Sequence, residues 1–125
     1  MAKKILVVDD SRTVRQQLGG LLTGAGYEVM QASDGIEGVE TISATPDLSL
    51  VICDVNMPKM NGVDMLTLVK QDPKNAKLSV LMLTTEGQPA LITRAKEAGA
   101  RGWIVKPFKE DLLLATVRKL AGAAS

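Results

Sequence analysis

The chain has 125 residues, of which 46% are hydrophobic and 23% are charged. This length and composition are typical of one globular domain with a real core and exclude a two-domain arrangement. Because 15 lysines and arginines nearly balance 14 acids, the charge argues against a nucleic-acid or membrane-surface partner. We therefore expect one domain over residues 1–125.

Cysteine and histidine usage narrows the chemistry further. The one cysteine, Cys53, lies inside an apolar run, so no disulfide framework can form and core packing is favoured over a redox thiol. The chain has no histidine, which excludes histidine catalysis, histidine metal ligands and a phosphohistidine on this chain. The N-terminal "MAKK" leads directly into "ILVV", without the features of a signal peptide or membrane span. We expect a cytoplasmic protein.

Apolar runs alternate with helical patterns along the chain. Strands are predicted at Ile5–Val8, Tyr27–Ala32, Leu48–Cys53, Leu78–Leu83 and Trp103–Val105. The second run alternates polar and apolar residues, which is typical of a half-exposed edge strand. Apolar stripes at helical spacing predict helices over Val14–Ala25, Ile36–Ile42, Val63–Val69, Leu91–Ala98 and Leu112–Leu120.

Local signals set the helix ends. Asp34 and Glu37 are spaced as a capping box before the second helix. Gly26 and Gly99 end the first and fourth helices, and the fourth begins near Pro89. Strands that alternate with helices predict a parallel α/β sheet that is covered on both faces, with right-handed crossovers.

Reactive side chains follow four of the predicted strands. In a doubly wound sheet, sites form outside the carboxyl ends of the strands. Those ends carry Asp9 and Asp10 after strand one, Asp54 after strand three, Thr84 and Thr85 after strand four, and Lys106 after strand five. We therefore expect carboxylates, a hydroxyl and an ammonium to converge on one pocket.

Each residue also has a simpler interpretation. Asp10 or Ser11 can cap the first helix, Thr84 can be an ordinary strand residue, and Lys106 can be a solvated lysine. Asp34 and Asp64 are interpreted as a cap and a surface residue. Nothing local requires an acid at Asp54, and a buried charge is costly unless it is compensated. The conjunction of four strand ends favours a functional site.

The predicted cluster favours a divalent cation. Carboxylates in one cleft raise each other's pKa unless a cation neutralises them, and Mg²⁺ prefers one or two carboxylates plus phosphate oxygens. With such a cation, Asp54 can attack a phosphoryl group as a carboxylate nucleophile. Lys106 and Thr84 would then contact the phosphoryl oxygens.

Four motifs, "VVDDS", "ICDVNMPKMNG", "LMLTTE" and "VKPF", together resemble the receiver domain of bacterial response regulators, above all the stand-alone chemotaxis type. The resemblance covers about Lys3 to Leu120 and implies a flavodoxin-like sheet of strand order 2-1-3-4-5 with five helices. It implies Asp54 as phosphoacceptor and a cis peptide between Lys106 and Pro107. It implies that Asp10, Asp54 and the Asn56 carbonyl bind Mg²⁺ directly, that Asp9 acts through water, and that Thr84 and Lys106 contact the phosphoryl group.

The sequence departs from the family at Thr85, where Ala or Gly is usual, and at Trp103, where a Tyr or Phe switch is usual. Thr85 is bulkier and is expected to slow access to the phosphoryl group. Trp103 is either a switch or a packed aromatic on an edge strand. Asn56 and Glu86 lie at positions where family members tune hydrolysis.

The resemblance implies a phosphorylation-controlled binding module, not a conventional enzyme. A histidine kinase would donate the phosphoryl group, and the chain would catalyse its own Mg²⁺-dependent phosphorylation and dephosphorylation. A downstream protein would bind the face formed by helix four, strand five and helix five, and a phosphatase is a further candidate partner. We expect a monomer.

Other functions stay open at this point. Within the family, the chain can be a phosphate sink or relay receiver. A haloacid-dehalogenase-like phosphatase also uses an aspartyl nucleophile and magnesium, but "VVDDSRT" lacks its Asp-x-Asp. A flavodoxin-like electron carrier should have a loop rich in Ser, Thr and Gly after strand one, where Asp9 and Asp10 would repel phosphate.

Overall fold

The computed structural model describes residues 2–57, 59–84 and 89–124. Thr85 and Glu86 lie outside these residues. The strands are β1 Lys4–Val8, β2 Glu28–Ala32, β3 Leu48–Asp54, β4 Ser79–Thr84 and β5 Gly102–Val105. The helices are α1 Arg12–Gly24, α2 Gly35–Ala44, α3 Gly62–Gln71, α4 Pro89–Ala98 and α5 Glu110–Ala121, with a 3-10 turn at Pro73–Asn75. None of the described helices is long and apolar enough to cross a membrane.

The strands form one sheet in the order β2-β1-β3-β4-β5. All neighbouring strands pair in parallel. This confirms the flavodoxin-like α/β fold and the strand order that the resemblance implied. The chain order reverses between β1 and β3, so the carboxyl ends of these two strands flank the topological switch point, where ligands bind in such sheets.

Successive side chains of a strand point to opposite faces of the sheet, and each face is buried by its own set of helices. On one face, Leu6, Val8 and Met82 pack with residues of α2, α3 and α4, among them Ile42, Leu66 and Ala95. On the other face, Ile5, Val7 and Ile52 pack with residues of α1 and α5, among them Leu18, Leu22, Leu113 and Val117. The near-continuous apolar runs of the sequence result from this double burial.

The predicted helix ends are largely confirmed. Ser11, not Asp10, is the N-cap of α1 and accepts a hydrogen bond from the Val14 N–H at 3.3 Å. Gly26 and Gly99, which follow α1 and α4, adopt φ of 99° and 107°, a region that favours glycine. The Asp10 side chain is therefore available for other interactions.

Of the two hydrogen bonds of the predicted capping box of α2, the one from the Glu37 N–H to the Asp34 side chain forms. Asp34 is the N-cap, and its Oδ1 accepts a hydrogen bond from the Glu37 N–H at 2.8 Å. The Glu37 carboxylate accepts a hydrogen bond from the Ser33 hydroxyl at 2.9 Å. In a full capping box, this carboxylate would accept from the backbone N–H of Asp34. Asp34 is thus the cap that the sequence predicted.

Strand boundaries shift by one residue in several places. β2 begins at Glu28 and β4 at Ser79, so Tyr27 and Leu78 precede the strands predicted to contain them. The Tyr27 hydroxyl donates a 2.6 Å hydrogen bond to the Gly122 carbonyl, a tertiary contact that no local pattern reveals. At the other end, β3 includes Asp54 and β4 includes Thr84. Both candidate site residues are therefore held by sheet hydrogen bonds.

Cys53 is buried and lies beside the site without taking part in it. Its Sγ lies 3.3 Å from the Asp54 carbonyl oxygen and 3.9 Å from Met65 Sδ. Burial raises the pKa of this thiol well above its ordinary value, and the charge of Asp54 adds to the effect. A thiol that stays protonated is a poor nucleophile, which agrees with the predicted packing role.

Gly62 lets the start of α3 approach the end of β3. A Cβ at this position would overlap the Asp54 carbonyl oxygen and lie 3.0 Å from Met82 Cε. The Gly62 N–H also donates a 2.9 Å hydrogen bond to the Val55 carbonyl. A side chain at residue 62 would therefore push α3 away from the strand that carries Asp54.

We predict that Gly62→Ala lowers the free energy of unfolding by about 1–3 kcal/mol, because overpacking a fixed backbone contact is destabilising. Gly20→Ala is the matched control, since nothing lies within 4 Å of a Cβ built there. It should leave stability unchanged or raise it by up to about 1 kcal/mol. Urea unfolding of the variants measures both effects, and equal midpoints would contradict the close approach.

Candidate functional site

Three carboxylates meet at the carboxyl edge of the sheet. Asp9, Asp10 and Asp54 each offer an oxygen, and these atoms lie within 4.8 Å of one another. Asp9 is completely buried, Asp54 is 5% exposed, and Asp10 is exposed at the rim. The β1 and β3 strands are direct neighbours, which is why their ends bring the acids together.

Lys106 provides the positive charge at the centre of the cluster. Its Nζ lies 2.8 Å from Asp9 Oδ2 and 3.3 Å from Asp54 Oδ1. The Lys106 side chain is only 20% exposed, so the solvated interpretation is wrong. The Lys106–Pro107 peptide is cis, as the resemblance implied.

Hydrogen bonds hold both the carboxylate and the backbone carbonyl of Asp9. Besides Lys106, its carboxylate accepts a hydrogen bond from the Ser11 N–H at 2.9 Å. Its backbone carbonyl accepts a hydrogen bond from Arg15 Nη1 at 2.6 Å. Both carboxylate oxygens are therefore already engaged, which makes Asp9 better suited to an outer position than to direct binding of a cation. Arg15 was not predicted as a site neighbour. It lies one helical turn beyond the N-cap Ser11, and this spacing was the signal that could have placed Arg15 near the end of β1.

Thr84 points away from the acids. Strand alternation places Leu83 with the α1–α5 core and Met82 with the α2–α4 core, so Thr84 shares the face of Met82. By the same alternation Asp54 shares the face of Ile52, on the α1–α5 side. Thr84 is 1% exposed, and among the described residues its Oγ1 has no hydrogen-bond partner. A buried hydroxyl that is left unpaired is costly.

The charges of the cluster shift its pKa values. Burial raises the pKa of Asp54 and the charge of Asp9 raises it further, while Lys106 and a hydrogen bond from the Asn56 backbone act in the opposite direction. Burial lowers the pKa of Lys106, but its hydrogen bond to Asp9 and the charge of Asp54 outweigh that effect, so the pKa of Lys106 is raised. The ammonium stays charged, but it is one positive charge beside three carboxylates in the described cluster.

The loop after β3 contacts the site through Asn56 and adopts an uncommon backbone conformation at Lys59. The Asn56 backbone hydrogen-bonds the Asp54 carboxylate. Lys59 has φ of 67°, a left-handed conformation that is uncommon outside glycine, and its Nζ lies 3.6 Å from Asp34 Oδ2. Neither the conformation of Lys59 nor its ion pair was predicted, because a "PKMNG" turn does not say which residue is left-handed. Asp64 is an exposed residue paired with Arg94 at 3.4 Å, as its surface assignment predicted.

Trp103 lies on the edge strand β5 and is 37% exposed. The Nζ of Lys96, on α4, stands 4.3 Å from the centroid of the indole ring. Val105 and Leu112 beside it are 38% and 55% exposed. Trp103 is therefore a half-exposed aromatic within an apolar patch, and not a packed core residue.

The donor set fits a hard divalent cation. Asp10 and Asp54 supply carboxylate oxygens, the donors that Mg²⁺ prefers, and the neighbouring Asp9 adds negative charge. One ammonium contacts two of the three carboxylates in the described cluster. The residues therefore fit a metal site on both ligand chemistry and charge.

Comparison with known proteins agrees with this geometry. Residues 5–118 match the family described as "Response regulator receiver domain". The chain is 41% identical over 111 residues to the chemotaxis protein CheY1 of Helicobacter pylori, covering 88% of this chain and 90% of that protein. The crystal structure of Vibrio cholerae CheY4 superposes with a TM-score of 0.90 at 38% identity, covering 96% of this chain and 99% of the other.

A third relative was solved as a complex. The structure of the CheX–CheY–BeF3–Mg²⁺ complex from Borrelia burgdorferi matches with a TM-score of 0.86 and 31% identity, covering 94% of this chain and 87% of the other. The chain therefore belongs to the response regulator receiver family, and within it to the CheY-type chemotaxis regulators of two-component signalling. It is a signalling module, and the haloacid-dehalogenase-like alternative has no support.

We predict that Lys106→Gln lowers the free energy of unfolding of the metal-free protein by about 1–3 kcal/mol, because it leaves two buried carboxylates without their cation. Lys109→Gln makes the same substitution at an exposed position three residues away and should change stability by no more than about 0.5 kcal/mol. Urea unfolding at neutral pH with EDTA compares the two variants. Equal stabilities would mean that Lys106 does not compensate the acids.

Proposed function

We propose that the whole of residues 1–125 forms one receiver domain, and that Asp54 accepts a phosphoryl group from a phosphohistidine of a partner kinase. The observation that carries this proposal is the buried Asp54 carboxylate, which lies 3.3 Å from the Lys106 ammonium and accepts a hydrogen bond from the Asn56 backbone. A carboxylate held in one geometry and shielded from water is suited to nucleophilic attack.

The reaction transfers one phosphoryl group. An Asp54 oxygen attacks phosphorus and forms a P–O bond, while the P–N bond to the donor imidazole breaks and histidine leaves. With acetyl phosphate as donor, a P–O bond breaks instead and acetate leaves. In hydrolysis, water attacks phosphorus, the bond to Asp54 breaks, and inorganic phosphate is released with the carboxylate regenerated.

Two residues of the chain recognise the phosphoryl oxygens. Lys106 already contacts Asp54 and Asp9 at 3.3 Å and 2.8 Å, and a phosphoryl oxygen on Asp54 offers its ammonium another anionic partner. Thr84 has a buried hydroxyl without a partner among the described residues, and it would donate to another phosphoryl oxygen. Both interactions strengthen as charge develops on those oxygens.

Mg²⁺ is the proposed cofactor. Asp10, Asp54 and the Asn56 carbonyl would bind it directly, and Asp9 would act through water, since both its oxygens already accept hydrogen bonds. When bound, the ion neutralises carboxylate charge and stabilises phosphoryl oxygens. The related CheX–CheY complex from Borrelia burgdorferi includes Mg²⁺ together with BeF3, which supports this choice of metal.

Output would come through protein contact on the α4–β5–α5 face. Trp103, Val105 and Leu112 expose apolar surface there, which is typical of a protein-binding patch. A phosphatase is a further proposed partner, and Thr85 and Glu86 are proposed to set the phosphoryl lifetime. The Mg²⁺-dependent self-phosphorylation and dephosphorylation belong to the same proposal.

We predict that acetyl phosphate with Mg²⁺ adds one base-labile phosphoryl group to the protein, and that Asp54→Asn prevents it by removing the nucleophilic oxygen. Intact-mass spectrometry before and after mild alkali measures the adduct. Asp64→Asn is the matched control, because Asp64 is an exposed acid of α3, and it should be modified like the wild type. The same adduct on Asp54→Asn would show that the phosphoacceptor lies elsewhere.

We predict that Asp10→Ala weakens Mg²⁺ binding at least tenfold, because it removes one of two direct carboxylate ligands. Asp10 is exposed, so the variant should fold. Titration calorimetry compares the wild type, Asp10→Ala and the surface control Asp64→Ala. Equal affinities for all three proteins would contradict the proposed ligand set.

A further inference from the structure

The contact between Lys96 and Trp103 joins α4 to the edge strand β5. The Lys96 Nζ stands 4.3 Å from the ring centroid, well within the distance for a cation–π interaction. Ala95, the neighbouring residue of α4, is 1% exposed and packs in the core, which fixes the backbone from which Lys96 projects. The other nearby cation of α4, Arg94, turns towards Asp64 of α3 at 3.4 Å. Of these two cations, Lys96 is the one that covers the indole.

Trp103 shares a face of the sheet with Thr84. Met82 pairs with Trp103 and Thr84 pairs with Val105 across parallel strands, and residues so paired project to the same side. That side is the one covered by α4, since Met82 and Ala95 share a core cluster. A movement of the Thr84 side chain therefore changes the space beside the strand segment that carries Trp103.

The exposure of Trp103 needs a physical reason. An indole gains free energy when it leaves water, yet Trp103 remains 37% exposed. The Lys96 ammonium provides an attraction that exists only while the ring faces outward. Turning the ring inward separates it from a cation that α4 holds in place.

We propose that Lys96 is a positioning residue that holds Trp103 outward and thereby opposes the phosphorylated state, an inference that rests on the proposed function. When the Thr84 hydroxyl is drawn to a phosphoryl oxygen, it vacates room on the α4 face. The indole fills that room only by leaving Lys96. The cation–π contact is therefore lost on activation, and its strength sets part of the resting equilibrium.

The test uses Lys96→Gln, which removes the charge but keeps a good helix former. Trp103 is the only tryptophan, so its emission during titration with beryllofluoride in the presence of Mg²⁺ reports this position alone. We expect the midpoint of Lys96→Gln to fall about two- to fivefold below that of the wild type, the range for an exposed cation–π contact.

Two further variants separate this role from general charge. Lys96→Arg keeps a cation over the ring and should restore the wild-type midpoint. Arg94→Gln removes a charge from the same helix without touching the indole. Loss of a cation near an anionic ligand weakens anion binding, so a general charge effect would raise both midpoints, whereas the proposed contact lowers that of Lys96→Gln alone.

The outcomes distinguish this inference from the function on which it rests. If the wild type gains the phosphoryl adduct but Lys96→Gln shows an unchanged or raised midpoint, the role of Lys96 is wrong and the proposed function stands. If the wild type shows neither the adduct nor a response to beryllofluoride, the proposed function is wrong, and the role of Lys96 is wrong with it.

Discussion

The ion pairs of Lys106 with Asp9 and Asp54 are the interactions on which the rest of the site depends. The Lys106–Asp9 pair joins residues separated by 97 positions at 2.8 Å, and the Lys106–Asp54 pair has a distance of 3.3 Å. Both pairs form only when β1, β3 and β5 stand in their final order. Burying two carboxylates without a cation is destabilising. The Lys106 ammonium therefore links the position of β5 to the carboxyl ends of β1 and β3.

This constraint leaves the cluster short of positive charge. Lys106 faces two buried acids and the exposed Asp10 nearby, and the pKa of Asp54 is raised first by burial and then by the charge of Asp9. A folded state that holds such excess negative charge is stabilised by whatever cation binds there, by mass action. The excess negative charge therefore destabilises the ligand-free fold at the place where a metal and a phosphoryl group are proposed to bind.

Much of the fold could be predicted because its signals are local. Apolar runs and helical stripes located the elements, and the rule for strand ends placed Asp9, Asp54, Thr84 and Lys106 at one edge. The remaining features depend on distances between elements. The sequence does not reveal that Arg15 bonds the Asp9 carbonyl or that Lys96 covers Trp103, because each requires the packed positions of two segments. The "PKMNG" turn also does not say that Lys59 is the left-handed residue.

The alternation of side chains along the strands divides the site in two. Asp54 projects towards α1 and α5, where Lys106 meets it, whereas Thr84 projects towards the α4 side, which it shares with Trp103. A phosphoryl group on Asp54 would lie at the sheet edge, where groups from both faces could reach it. Charge compensation on one face and a hydroxyl on the other would then respond to the same ligand. Asp54 pairs with Leu83 across the sheet, and the next residue, Thr84, faces the opposite side. In the proposed mechanism, this geometry would connect the buried acids with the exposed surface at Trp103.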